Sequence, residues 1–194
     1  MIAPVKVARS SLERYVPRYL VVNTGNANAG TGTRGINDAE ATCAKIGELT
    51  RVNPSRVLPF STGVIGEHLP IKLIMDALPS AIEALDQDGW EAATSAILTT
   101  DTRPKVAYEE VIIGDELIRI CGVAKGSGMI SPNLATMLSF IFTNADINSN
   151  LLKTLLKRAV SNSFNAITVD SDQSTNDMVS IFSTRTLKIG QNLS

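Results

Sequence analysis

The sequence predicts an α+β fold, or a layered α/β sandwich. Three observations carry this. Short apolar strands are broken by loops of glycine, asparagine and serine; amphipathic helical stretches lie between them; and one segment, "VIIGDELIRI" (111–120), reads as a hairpin turning at Gly114-Asp115.

The elements follow in order. "MIAPVKVARSSLERYVPRYLVV" holds four basic residues and one acid, Glu13, a balance shared with transit peptides. It lacks a long apolar core and runs directly into an apolar stretch at 19–22, so it is read as part of the fold. "YLVV" (19–22) is a strand, and "NTGNANAGTGTRG" (23–35) is a folded loop, because glycine and asparagine tolerate positive φ. A helix follows, with Asn37 and Glu40 as a capping box and Ala39, Cys43, Ile46 and Leu49 on one face.

"VLPFSTGVIGEHLP" (57–70) reads as strand, turn and helix start, with Pro70 in the first helical turn. Ile71, Ile74, Met75 and Leu78 share a face; Pro79 is expected to stop that helix, and Ser80 with Glu83 to start another. A further helix centres on Trp90, Ala93 and Ile97. "TMLSFIF" (136–142) is strand-like, Asn148 caps a helix carrying Leu151, Leu152, Leu155, Leu156 and Ala159, and "AITVD" (166–170) and "MVSIFST" (178–184) read as strands.

Totals exclude several function classes. Lys and Arg number 18 against 19 Asp and Glu, so no basic field exists to hold nucleic acid or an anionic membrane. No apolar run approaches the ~18 residues that span a bilayer. The two cysteines, Cys43 and Cys121, fit no zinc spacing and no disulfide framework; they read as buried thiols of a reducing compartment, and no metal site is expected. The single histidine, His68, reads as solvated or capping, so a chemistry that dispenses with histidine is preferred.

Four small-residue loops flank the strands, at 23–35, 61–66, 99–105 and 125–136. "GTGTRG" is not a dinucleotide fingerprint, and "GVAKGSG" lacks phosphate-loop spacing. Each alone reads as a turn. In "KGSGMISPNLATMLSF" (125–140), Thr136 lies where the loop meets an apolar segment. A threonine hydroxyl needs a base. If the Ala135–Thr136 bond is cut, the new α-amine, with an ordinary pKa of about 7.7–8.0, supplies that base on the same residue. On the residues alone, the plain reading of a loop abutting a core strand stays open beside it.

Five stretches together resemble one family: "VVNTGNANAGTG", "PFSTGVIGEHLP", "TTDTRPK", "VAKGSGMISPNLATMLSF" and "FNAITVDSDQSTND". They look like the bifunctional ornithine acetyltransferase/N-acetylglutamate synthase family of arginine biosynthesis. The departures are mild, among them Gly30 where cysteine is common and Leu134 for a frequent methionine.

The resemblance implies the layered sandwich of the ornithine acetyltransferase/DmpA-like N-terminal-nucleophile type, present incompletely. It implies self-cleavage at Ala135–Thr136, giving an α-chain-like segment, 1–135, and the start of a β-chain-like segment, 136–194. Thr136 becomes the nucleophile and moves an acetyl group from N-acetylornithine to glutamate through an acetyl-threonine intermediate. Thr62 and Gly63 are implied to stabilise the oxyanion, and Thr102, Lys125 and Thr136 to contact substrate. Without the resemblance, Lys125 reads as a solvated loop charge. No cofactor is implied, although acetyl-CoA is a co-substrate in some members. A cytoplasmic heterotetramer of α and β chains is the expected assembly. The family's chains are about twice as long, so N- and C-terminal parts are expected to be missing and the chain alone inactive. The competing expectations are an N-terminal-nucleophile amidohydrolase or aminopeptidase, in which water takes the acyl group, and an inert truncated domain.

Overall fold

A computed structural model of the chain describes residues 2–127, 137–167 and 176–188. The chain divides into two compact units, 1–99 and 100–194.

The first unit opens with helix α1 (Ala3–Leu12), so the basic N-terminal stretch is structured, with Ala3, Pro4, Val5 and Ala8 buried. Strand β1 (Tyr19–Asn26) and strand β2 (Val57–Val64) pair in parallel, from Tyr19 opposite Val57 to Gly25 opposite Gly63. Helix α2 (Gly32–Thr50) connects them as parallel pairing requires. Its buried face, Ala39, Cys43 and Ile46, matches the sequence periodicity. The expected start does not hold. α2 begins at Gly32 after Thr31, leaving Asn37 exposed within the helix rather than capping it. The helix ends at Arg51, in a left-handed conformation with φ 58°.

Helix α3 (Ile71–Glu83) corrects a second expectation: Pro79 lies inside it and does not divide it. The apolar stripe explains why. Leu78 is buried, and Ile74, Met75 and Ile82 pack on the same cluster as Cys43, Ile46 and Val57. Burial on both sides of the proline outweighs the hydrogen bond that its missing N–H forfeits. Pro70 stands just outside the helix, at its N-cap. Helix α4 (Trp90–Ala96) lies where the sequence placed it.

Cys43 is buried and its thiol donates to the Val57 carbonyl at 3.5 Å. Burial, with the Glu40 charge, pushes that thiol up to about 12, so it is a packing group and not a reactive one. Cys121 is half-buried.

The second unit holds a four-stranded sheet in the order β3-β4-β5-β6. β3 (Lys105–Ile113) and β4 (Glu116–Lys125) form the expected hairpin, with Gly114 at φ 63° in the two-residue turn. β4 pairs antiparallel with β5 (Leu138–Ala145), from Ile120 opposite Thr143 to Lys125 opposite Leu138. Helix α5 (Ser149–Ser161) then carries the chain to β6 (Met178–Leu187), which pairs with β5 in parallel. Asn148 caps α5 as expected, accepting from the Leu151 N–H at 2.9 Å. Phe142 and Phe182 stack across β5 and β6 with centroids 5.4 Å apart.

The expected strand at 166–170 is not seen where it can be followed. Ala166 ends a short 3-10 turn, Phe164–Ala166, and residues 168–170 lie outside the described residues. No helix among the described residues is long and apolar enough to cross a membrane.

Candidate active site

In the first unit the candidate residues lie where β1 and β2 end side by side. Thr62 and Gly63 stand opposite Thr24 and Gly25. Thr62 is only 3% exposed. Gly63 adopts φ 134°, and a Cβ there would fall 2.2 Å from the Gly25 carbonyl carbon and 2.5 Å from the Asn26 nitrogen. The two main chains approach so closely that only glycine fits.

Side chains from the asparagine-rich loop brace this junction. The Ser61 hydroxyl donates to Asn23 Oδ1 at 2.5 Å, and Asn23 Nδ2 donates to the Asn26 carbonyl at 2.8 Å. Asn26 Nδ2 reaches the carbonyls of Glu67 and His68, tying the loop to the segment after β2. Asn28, fully buried with φ 49°, donates to the Gly35 carbonyl and accepts from the Thr31 hydroxyl at 2.7 Å. His68 is exposed, in keeping with a solvated side chain, and does not cap α3.

In the second unit the site gathers at the end of β4. Lys125, expected on its residues alone to be a solvated charge, is 1% exposed. Burial pulls its ammonium below the ordinary lysine range, while the Asp101 and Asp177 carboxylates pull the other way. Asp101 accepts from the Gly126 N–H at 2.8 Å and from Lys105 Nζ. Its side chain is 0% exposed. Burial pushes this carboxyl up, but the Lys105 and Gly126 donors and the charges of Lys105 and Lys125 outweigh it, and Asp101 is held below the usual carboxylate range. Thr102 and Lys125 thus stand one residue to either side of the Asp101–Gly126 hydrogen bond, with Thr102 exposed. Thr100 and Ser127 share a hydrogen bond of 2.8 Å across the same junction.

Asp177 completes the group. Its Oδ1 accepts from the Met137 N–H at 2.5 Å. Burial raises its pKa to about 6, against the opposing pull of that N–H and of Lys125. The Oδ2 atoms of Asp101 and Asp177 are buried and have no hydrogen-bond partner among the described residues. Ala135 and Thr136, the expected cleavage pair, lie outside the described residues; Met137 and Leu138 directly follow them.

Sequence reasoning named Thr62, Gly63, Thr102 and Lys125 but passed over Asp101, Asp177 and the bracing asparagines. The signal was present: Asp101 is the acid of "TTDTRPK" and Asp177 the last residue of "STND".

The α+β fold is that of solved ornithine acetyltransferases. An arginine biosynthesis bifunctional protein ArgJ from Bacillus halodurans superposes with a TM-score of 0.62 at 38% identity, over 71% of each chain. Ornithine acetyltransferase from Mycobacterium tuberculosis, solved in complex with ornithine, gives 0.60 at 27% identity, over 69% of this chain and 71% of that one. The ArgJ family pattern matches residues 1–193, and the chain belongs to the ArgJ family. The bifunctional ArgJ of Methylococcus capsulatus is 58% identical over 175 residues, covering 90% of this chain and 43% of that protein. The Pseudomonas fluorescens protein is 48% identical over 182 residues, 94% and 45% respectively. The chain therefore spans less than half the length of the curated relatives it matches.

Proposed function

We propose that the chain contributes the cleavage junction and part of the active site of a glutamate N-acetyltransferase, moving acetyl from N-acetylornithine to glutamate in arginine biosynthesis. The observation that carries the reading is Gly63. Its positive φ and its lack of room for a Cβ fix the main chain near the end of β2, beside a buried threonine. Family membership and the ornithine complex of the Mycobacterium tuberculosis relative add the substrate class.

The steps are assigned as follows. Thr136 Oγ attacks the Ala135 carbonyl carbon, the Ala135–Thr136 C–N bond breaks, and the resulting ester is hydrolysed by water. The freed α-amine of Thr136 then takes the hydroxyl proton as Oγ attacks the acetyl carbonyl of N-acetylornithine. Ornithine leaves with that proton on its amine, and an acetyl ester remains on Oγ. The glutamate α-amine attacks the ester, N-acetylglutamate departs, and Oγ regains its proton. The Thr62 hydroxyl and the Gly63 N–H are assigned to the oxyanion in both half-reactions, each donor contributing about 2.7–4 kcal/mol.

Lys125 is assigned to a substrate carboxylate and Thr102 to a further substrate contact. Burial suits this role for Lys125, because a weakly hydrated ammonium binds an anion more strongly than a solvated one. The chemistry requires no cofactor, and acetyl-CoA, where used, enters as a second acetyl donor. The α and β segments are proposed to stay together as a heterotetramer in the cytoplasm.

The test is mass spectrometry and acetyl-transfer assay of the complete gene product carrying this chain. Cleavage at Ala135–Thr136 is expected, and Thr136→Ala is expected to abolish both cleavage and transfer. Retained transfer in that variant would refute the nucleophile assignment. Release of free acetate with no N-acetylglutamate would favour the amidohydrolase reading instead.

A further inference from the structure

We infer that Asp177 is a positioning residue for the nucleophile: its carboxylate holds the peptide unit that joins Thr136 to Met137. The inference rests on the reading of Thr136 as nucleophile.

The geometry is a two-point clamp. Asp177 Oδ1 accepts the Met137 N–H at 2.5 Å, and the Met178 N–H donates to the Met137 carbonyl at 3.0 Å. Both main-chain polar groups of Met137 are thus bound by consecutive residues where β6 begins. The clamped N–H is half of the peptide unit whose carbonyl belongs to Thr136. A peptide unit is planar, so one held at its N–H is held whole. The Met178 bond grips the next peptide unit, through the Met137 carbonyl, so among the described residues the Asp177 carboxylate is what holds the Met137 N–H.

A carboxylate is a costly choice for that task. Asp177 sits in surroundings that raise its pKa to about 6, above the ordinary 3.8. The opposing charge that acts on it is Lys125, itself buried at the end of β4 and shared with Asp101, which also holds Lys105. Because the folded pKa is the higher one, folding favours the neutral acid. The stability that the neutral form provides is complete below about 3.8 and is lost as pH rises through about 6. At neutral pH the ionised group therefore weakens the fold. An amide could hold the same N–H at less cost. The charge is retained for a stronger, charge-assisted grip at the cleavage junction, a trade of stability for activity.

The complete gene product is compared with Asp177→Ala, Asp177→Asn and Thr136→Ala by cleavage time course, kcat, KM, pH profile and thermal melting. Asp177→Ala is expected to slow self-cleavage and to lower kcat by about 10- to 100-fold, with KM changed less than about threefold. Asp177→Asn keeps an acceptor, so it is expected to recover part of both rates. It should melt no lower than the parent at pH 8, and its rate should lack the extra loss that the parent shows below pH about 6.

Parental cleavage and kcat in Asp177→Ala would overturn the inference. So would an Asp177→Asn protein whose melting point and activity fall together, which would mark a merely structural acid. If Asp177→Ala does not fold, the Asp177→Asn melting and pH data decide. Thr136→Ala separates the two claims. If it still transfers acetyl, the nucleophile reading fails; if it is inert while Asp177→Ala is unaffected, only the role of Asp177 fails.

Discussion

Gly63 occupies a position that no side chain can share. Any Cβ there meets the Gly25–Asn26 peptide, so Gly63→Ala must push β1 and β2 apart at their ends. The expected outcome is a lower unfolding temperature together with a kcat reduced by about 100- to 1000-fold in whatever folds, as for loss of one oxyanion donor. Unchanged melting and turnover would show that the close approach carries no function. At this scale the sequence offers a residue type where a motif names one, as in the Thr62-Gly63 pair of "PFSTG", while the packing of Gly63 on Gly25 comes from the fold. It was illegible where only the fold decides the environment. Asp101 and Asp177 sit among small polar residues, and no local pattern marks them. They become buried because the 99–105 loop folds onto Gly126 and because β6 starts beside Met137. Lys125 misreads the same way, since nothing local announces that a lysine after "GVA" will be 1% exposed.

Helices and strands were easier to read than their ends. The apolar spacing of α2 carried through because it is the face that helix buries, whereas α5 buries Leu152 and Val160 and leaves Leu155 and Ala159 exposed. The start of α2 was misplaced because an Asn37/Glu40 pattern looks like a cap, whereas the true start lies among Gly32, Thr33 and Arg34, residues with the composition of a loop. Pro79 misled for the opposite reason, a strong local signal overridden by packing. The two asparagines give a direct comparison. Asn148→Ala removes a side-chain cap from α5 and is expected to cost about 0.5–2 kcal/mol in urea unfolding. Asn37→Ala, exposed and inside α2, is expected to be neutral or to stabilise by roughly 0.5 kcal/mol, since alanine is the better helix former. A clear loss at Asn37 would restore the helix start that the sequence suggested.

At the scale of the molecule, the proposed cut falls in the connection between two paired strands. β4 ends at Lys125, β5 begins at Leu138, and the Ala135–Thr136 bond lies between them. Cleavage there severs the chain without severing the sheet, because the β4–β5 ladder runs from Ile120 opposite Thr143 to Lys125 opposite Leu138. The two pieces are expected to co-elute as one species on native size-exclusion chromatography and to part only in denaturant. Two separate native peaks would show that the ladder does not hold the pieces together.

That ladder also changes what heat must do. An intact chain unfolds as a single molecule, and its melting point ignores dilution. Once nicked, the same sheet joins two molecules, and every unfolding event releases a partner that must be found again. The melting temperature of the processed protein should therefore rise with protein concentration, while that of uncleaved Thr136→Ala should not, beyond what any subunit assembly common to both forms imposes. Self-cleavage would in this sense exchange a tether for mass action, leaving a protein whose persistence depends on how much of it the cell makes.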